Sequence, residues 1–459
     1  MELGGRTILV IGMGRTGTAV VDFLARRGAR VLATDETPPE RLAGARDLLS
    51  RRDGDVAWVP YEASVLAAGV DLVVPSPGVP PRNPLLVAAA KQGIPIWSEI
   101  ELAFAFLKTP VIAVTGTNGK TTTTTLIGDI LAKGGKRVFV GGNIGNPLVE
   151  YAGGPQGADL AVVEVSSFQL QWTRTFHPFV AVHLNLTADH YDYHGSLAAY
   201  GAAKEKIFAN QTPRDFAVVN ADDAGTAPLV HRLSAVVIPF SSKGPLAGRG
   251  VYLEGERIVL SLDGSVREAY PTARVRIPGR HNLENIMAAV AVGRICGCPP
   301  EAVLAAVEGF EGIPHRIEYA GRVRGVTFYD DSKGTNVDAV RRALETFPDP
   351  VILLMGGRDK EGDFEGLRED VKRRVKALVL FGEARGRIES ALGGLVPTLS
   401  LPTLGEAVKR AFHEAAEGDT VLLSPGCASF DAFRDYRARG DYFKEVVREL
   451  EGDVQPQGA

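Results

Sequence analysis

The chain has 459 residues, 45% of them hydrophobic and 23% charged, enough apolar material for about three domains of ordinary size. Lysine and arginine number 51 against 55 acidic residues, a net charge of −4 that argues against a dedicated nucleic-acid binder. Three cysteines (Cys296, Cys298, Cys427) are too few and too odd in number for a disulfide framework, and no apolar run approaches the roughly 18 residues of a membrane helix. MELGGRTILVIGMG reads as a first core strand and not as a signal peptide. A cytoplasmic, monomeric protein is expected, with neither nucleic acid nor membrane as a partner.

Short β-branched runs alternate with longer helical patterns almost throughout, which predicts parallel α/β domains. RTILVIGMG, ARVLATDE and VDLVVPSPG are the first strands. A break near Phe106 to Pro110 precedes VIAVTG, KRVFVGG, DLAVVEVSS and FVAVHLNLT, and a helix is expected from about Ser196 to Ala209. From Phe216 to about Arg276 the runs are short and turn-rich, which suggests an antiparallel excursion; Asn282 to Gly293 then reads as a helix. A third pattern, VTFYDD, PVILLMGG, ALVLFGE and TVLLSPG, follows Gly312-Ile313-Pro314. The expected division is 1–98, 99–312 and 313–459. The outer two would be Rossmann-like, and the middle one a P-loop ATPase-type, mostly parallel sheet with a small antiparallel part.

Two glycine loops carry the chemistry. Gly12-x-Gly14-x-x-Gly17 follows a strand and opens a helix, and Asp35 ends the next strand, a pattern suited to a nucleotide diphosphate without saying which one. Ser76-Pro77-Gly78 is a second anion-type loop of the same region. The stronger signal is Val114-Thr115-Gly116-Thr117-Asn118-Gly119-Lys120-Thr121, after a strand and before a threonine-rich helix start. Its amides can wrap phosphates, Lys120 can neutralise them, and the Thr121 hydroxyl can hold Mg²⁺. Val114 stands where the generic phosphate loop has its first glycine, so this is a variant loop.

Other residues are ambiguous taken singly. Glu164 ends a buried strand, where either a bound Mg²⁺ or a buried salt bridge would account for it. His190 and His194 have zinc-like i, i+4 spacing, but their surroundings look like a loop. Lys204, beside Glu205 and Lys206, reads alone as solvated surface.

The segments VTGTNGKTTT, GGNIGNP, EVSSFQL, NLTADHYDYHG, YGAAKEKIF, GRHNLEN, GIPHR, DDSKGTN and LLSPGCASFDAF occur in one order across most of the chain. Together they closely resemble the Mur ligase family, and SSFQL and SPGCASFDAF resemble its D-glutamate-adding branch. The resemblance implies an ATP-dependent amide ligase of peptidoglycan precursor synthesis, with UDP-N-acetylmuramoyl-L-alanine and D-glutamate as substrates and two Mg²⁺ ions. It implies that Gly116, Thr117, Asn118, Gly119, Lys120, Thr121 and Thr122 bind the ATP phosphates. Thr121, Glu164, His190 and Lys204 would hold metal, Lys204 as a CO₂-derived carbamate, and Lys120, His190, Lys204 and Asn143 would be catalytic. Asn282 and Asn285, three apart on one helical face, would converge on adenine, with Asp331 at the ribose and Arg316 at the phosphates. Gly14, Arg15 and Thr16 would meet the UDP diphosphate, Asp35 and Glu36 the uracil, with Gly78 flanking. Asn143 would also contact the sugar nucleotide. D-Glutamate would meet Lys333, Thr335, Lys360, Ser429 and Tyr436, the last standing where Phe is expected. Folylpolyglutamate synthesis, a dehydrogenase and a P-loop switch are the rival readings.

Overall fold

The computed structural model describes residues 2–42, 44, 45, 48, 49, 56–264 and 267–454, so Met1 and the last residues of the third expected domain lie outside it. Among the described residues no helix is long and apolar enough to cross a membrane. The chain folds as three sheets in two compact units. The first unit comprises Met1–Leu186, Tyr193–Ala273 and Glu284–Val307; the second comprises Thr187–Asp192, Arg274–Leu283 and Glu308–Ala459.

The first sheet has strands β1 (Thr7–Ile11), β2 (Arg30–Thr34), β3 (Val56–Trp58) and β4 (Leu72–Pro75) in the order β3-β2-β1-β4, all parallel. The strand β3, three residues long, is too short to have stood out in the sequence. The central sheet runs β5 (Val111–Thr115), β6 (Val138–Gly142), β7 (Leu160–Glu164), β8 (Val180–His183), β9 (Phe216–Asn220), β10 (Val236–Ser241), β11 (Gly250–Glu254), β12 (Arg257–Ser261) and β13 (Glu268–Pro271). Their spatial order is β13-β12-β11-β10-β9-β8-β5-β7-β6. All five residues of β5 are buried, as a parallel strand covered on both faces requires. Its position between β7 and β8 makes its carboxyl end a topological switch point, where α/β sheets bind ligands.

The antiparallel excursion is narrower than the sequence suggested. Strand β10 pairs parallel with both β9 and β11; the crossover through Ala227–His231 returns the chain from β9 in the same direction. Among the described residues of this stretch only β11-β12 and β12-β13 are antiparallel, the first pair turning at Gly255 with φ +58°.

The first and central sheets share one apolar core, with Phe23, Ile100, Leu148 and Phe176 among its members. Two buried carboxylates tie this junction together. Glu101 accepts the backbone N–H groups of Arg174, Thr175 and Phe176 and the Thr175 hydroxyl; Glu99 accepts the Val149 N–H at 2.7 Å. Hence the expected boundary near residue 99 falls inside a single compact unit.

In the second unit, β14 (Glu318–Val323), β15 (Val326–Asp330), β16 (Val351–Gly356), β17 (Val375–Phe381), β18 (Thr398–Ser400) and β19 (Thr420–Leu423) order as β14-β15-β19-β16-β17-β18. Strand β14 is an antiparallel edge that the sequence reading missed. Its EYAGRV segment contains Gly321, where the register shifts, and exposes Tyr319.

Candidate active site

The loop after β5 supplies the site's frame. Gly116 and Gly119 have φ of +152° and +87°, and a Cβ on Gly119 would collide with the Asn285 side chain, so glycine is required there twice over. Helix Lys120–Lys133 starts on Gly119 and buries Thr122, Thr123 and Thr124, so packing offsets the poor helix propensity of the threonine run. The Thr123 hydroxyl donates to Asn285 Oδ1 at 3.3 Å, which seats Asn285 on this helix.

Three expected residues meet here directly. The Glu164 carboxylate, 2% exposed at the end of β7, accepts the Thr121 hydroxyl at 2.8 Å and the Asn143 amide at 2.9 Å. Both of these partners of Glu164 are neutral side chains. Lys120 Nζ folds back onto the carbonyls of Gly116 and Thr117 at 2.9 and 2.8 Å. The Thr122 hydroxyl is buried with no hydrogen-bond partner. A carboxylate, a hydroxyl and an amide oxygen are hard donors suited to Mg²⁺, and an unsatisfied hydroxyl at a helix start suits a phosphate oxygen.

Lys204 is not a surface lysine. Helix Leu197–Glu205, capped by Ser196, carries Tyr200 and Lys204 one turn apart on the face toward the loop. Lys204 is 1% exposed; its Nζ donates to Gly116 O at 2.7 Å and lies 4.6 Å from the centre of the Tyr200 ring. The Tyr200 hydroxyl reaches Thr117 Oγ1 at 3.3 Å.

Asn185, which sequence reasoning passed over, clamps the loop. Its Oδ1 accepts the Asn118 N–H at 2.9 Å, its Nδ2 donates to Asn118 O at 3.1 Å, and its own carbonyl accepts the Thr117 N–H. The available signal was its place in NLTADH, just beyond β8.

In the first sheet, Gly12 has φ +88° and a Cβ on Gly17 would overlap the Gly12 carbonyl, so both glycines are dictated by geometry. Asp35 closes this loop: its two oxygens accept the N–H groups of Met13 and Thr37 at 2.7 and 2.8 Å. Ser76 Oγ donates to Gly12 O, which joins the Ser76-Pro77-Gly78 turn to the first loop and leaves Gly78 exposed beside it. Gly14 and Arg15 are exposed and Thr16 half-buried; Arg15 reaches Asn146 Oδ1 at 2.8 Å, in the same GGNIGNP segment as Asn143. Glu36 accepts the Tyr61 hydroxyl.

His190 precedes helix Tyr191–His194 with φ +55°, so the helical i, i+4 pairing with His194 does not form. His194 instead contacts Ser167 Oγ at 3.0 Å. Among the described residues, the one cluster of three histidine or carboxylate ligand atoms close enough to share an ion is His315, Glu318 and Asp330, and it includes neither of these histidines. Burial disfavours the Asp189 anion, yet His190, Lys360 and the Asn336 amide together hold its carboxyl below the usual range. A small cavity of about 140 Å³ brings His190, Thr335 and Lys360 together.

Lys333, Ser429 and Tyr436 lie outside that cavity's lining and are organised by Arg439, a second residue the sequence reading missed. Its fully buried guanidinium donates to Ser332 Oγ and O and to the carbonyls of Cys427 and Ala428. Ser332 Oγ in turn donates to Tyr436 O, and Lys333 Nζ lies 5.4 Å from the Tyr436 ring centre. A larger cleft of about 650 Å³ joins Asn282 to Arg316. Asp331, buried at the end of β15 and hydrogen-bonded to Ser424, is pushed up to about 7 by burial, with Arg316 opposing the shift.

Three family models match in succession: the Mur ligase MurD-like N-terminal domain over residues 6–98, the Mur ligase middle domain over 114–293, and the Mur ligase glutamate ligase domain over 315–427. The chain is 56% identical to the UDP-N-acetylmuramoylalanine–D-glutamate ligase of Syntrophus aciditrophicus, covering 98% of this chain and 99% of the relative. The chain belongs to the Mur ligase family. The same-named enzyme of Geobacter metallireducens is 46% identical over 99% of this chain and its own full length. Among solved structures, the MurF ligase of Thermotoga maritima in complex with ADP aligns over 99% of this chain and 97% of its own, with TM-score 0.62 at 18% identity. That likeness shows the three-domain Mur ligase fold.

Proposed function

We propose that this Mur ligase joins D-glutamate to UDP-N-acetylmuramoyl-L-alanine at the expense of ATP. The observation that carries the reading is the hydrogen-bonded set Thr121, Glu164 and Asn143 beside the Lys120 loop, in a chain 56% identical to a D-glutamate ligase. The terminal carboxylate of the sugar-nucleotide substrate attacks the γ-phosphorus of ATP. The bond to the bridging oxygen breaks, leaving an acyl phosphate and ADP. The amine of D-glutamate then attacks the acyl carbon, phosphate leaves with the C–O bond pair, and the nitrogen loses its proton to form the amide.

Lys120 and the amides of Gly116 to Gly119 hold the triphosphate and spread the charge that develops on the transferring group. Thr121 and Glu164 would hold a Mg²⁺ ion, which when bound neutralises phosphate charge. A second ion would draw on His190 and on Lys204 as its carbamate, since an unmodified ammonium repels a cation. Asn143 orients the reacting carboxylate. Asn282, Asn285, Arg316 and Asp331 bind the nucleoside and phosphates. Gly14, Arg15, Thr16, Asp35, Glu36 and Gly78 receive UDP. Lys333, Lys360, Thr335, Ser429 and Tyr436 supply the cationic and hydroxyl partners that a two-carboxylate amino acid needs.

Phosphate release from Mg-ATP in bicarbonate buffer tests the reading. Release should require both UDP-N-acetylmuramoyl-L-alanine and D-glutamate; release with L-glutamate or another amino acid instead would discard the proposed substrate.

A further inference from the structure

His183 ends β8 with 0% exposure, and neither ring nitrogen has a hydrogen-bond partner. A buried imidazole left unpaired costs free energy that an aliphatic side chain in the same strand would not. Its setting is specific. His183 stands in parallel register with Thr115 on β5, so the two side chains project from the same face of the sheet. Lys204 Nζ lies 3.5 Å from the Thr115 hydroxyl on that face, and Phe208, one turn beyond Lys204, places its ring centre 6.3 Å from the imidazole's. The charged groups that face the ring are Lys204 and Lys120; with burial, they hold the imidazole neutral, its pKa near 3.

The chemistry of the lysine decides what such a ring can do. An ammonium has only donors, and Lys204 Nζ donates to Gly116 O and Thr115 Oγ1, both acceptors. Carbamylation reverses this demand. The neutral amine nitrogen bonds to the carbon of CO₂, one C=O electron pair moves to oxygen, and the amine proton passes to solvent. The product has one N–H and two anionic oxygens that need donors. A neutral imidazole offers one donor and one acceptor.

We propose that His183 is a positioning residue for modified Lys204, donating a ring N–H to a carbamate oxygen either directly or through one enclosed water. The inference rests on the carbamate reading of Lys204 above. It implies that His183 favours the modified lysine over the free amine, whatever nucleotide is present.

The test uses the full-length protein without ATP or substrate, titrated with ¹³C-bicarbonate, and reads the carbamate carbon by NMR, with Lys204→Arg assigning the signal. Loss of one hydrogen bond predicts that His183→Leu needs about tenfold more bicarbonate for half-occupancy, while His183→Asn, which keeps an amide donor, stays within about threefold. Thermal melting checks the fold, and His183→Val, β-branched to suit the strand, replaces the Leu variant if that one does not fold. Unchanged occupancy in the apolar variant, with a raised Tm, would make His183 a mere buried burden and overturn the proposal. Absence of the signal from the unsubstituted protein would overturn the carbamate reading, and the role of His183 with it.

Discussion

The first unit contains two strand–glycine loop–helix turns, one after β1 and one after β5, and they use their acids in opposite ways. After β1, Asp35 spends its oxygens on the backbone N–H groups of Met13 and Thr37, so the acid shapes the loop. After β5, Glu164 is held by the side-chain donors of Thr121 and Asn143, so it stands among groups that can exchange partners when a ligand binds. Two glycine loops of the same plan thus differ in what the carboxylate does. Backbone donors make an acid architectural, and side-chain donors leave it available for chemistry.

The contrast is broken most directly at Glu164. Glu164→Gln keeps the shape and one acceptor but removes the charge. It should lower kcat by about 10²- to 10³-fold, the scale of losing one electrostatic contact to the transferring group, and raise the Mg²⁺ needed for half-maximal phosphate release. Asp35→Asn should instead raise KM for the sugar nucleotide about tenfold with kcat changed less than about threefold, the pattern of lost ground-state binding. Steady-state kinetics with each substrate varied in turn separates the two. If both variants lost kcat alike, the distinction between the two acids would fail.

Asn185 sharpens the comparison from the other side, because it does for the second loop what Asp35 does for the first. Asn185→Ala removes two hydrogen bonds to Asn118 and should raise KM for ATP about tenfold, consistent with roughly 1–2 kcal/mol of lost loop order. The KM for D-glutamate should not move.

How legible these features were depends on whether they are local in sequence. The phosphate loop is local: a buried strand, two glycines and a lysine within a few residues, and the structure forms it where the sequence places it. Lys204 is not. Its helix, LAAYGAAKE, carries small residues around the lysine, so periodicity gives no apolar stripe from which to see that Tyr200 and Lys204 face inward. Asn185 and Arg439 act on backbone groups of distant segments, and a carbonyl has no letter in the sequence. The hairpin β11-β12 was readable from its turn, but β10 was misjudged, because strand direction is set by the crossover and not by the strand itself.

The acid at the junction of the first two sheets supplies the mildest test of the same principle. Burial pushes the Glu99 carboxyl up to about 7, against the backbone N–H groups of Val149 and Leu148 and a long contact, 3.4 Å, from Gln169. The folded state therefore binds the proton more tightly than the unfolded chain, whose glutamate titrates near 4.5. Below that pH both states are protonated and Glu99 makes no difference; as pH rises from about 4.5 through 7, the unfolded chain ionises first and stability falls, by on the order of 3 kcal/mol at most. Asp331 adds a fall of the same sign in the second unit. Glu99→Gln keeps the acceptor for Val149 and cannot ionise, so the drop in Tm between pH 5 and pH 8 should shrink by a few degrees while Tm at pH 5 hardly changes. Differential scanning calorimetry at the two pH values reads this directly. An undiminished drop would mean that Glu99 is already satisfied as an anion, and that its backbone donors suffice to make a buried acid architectural.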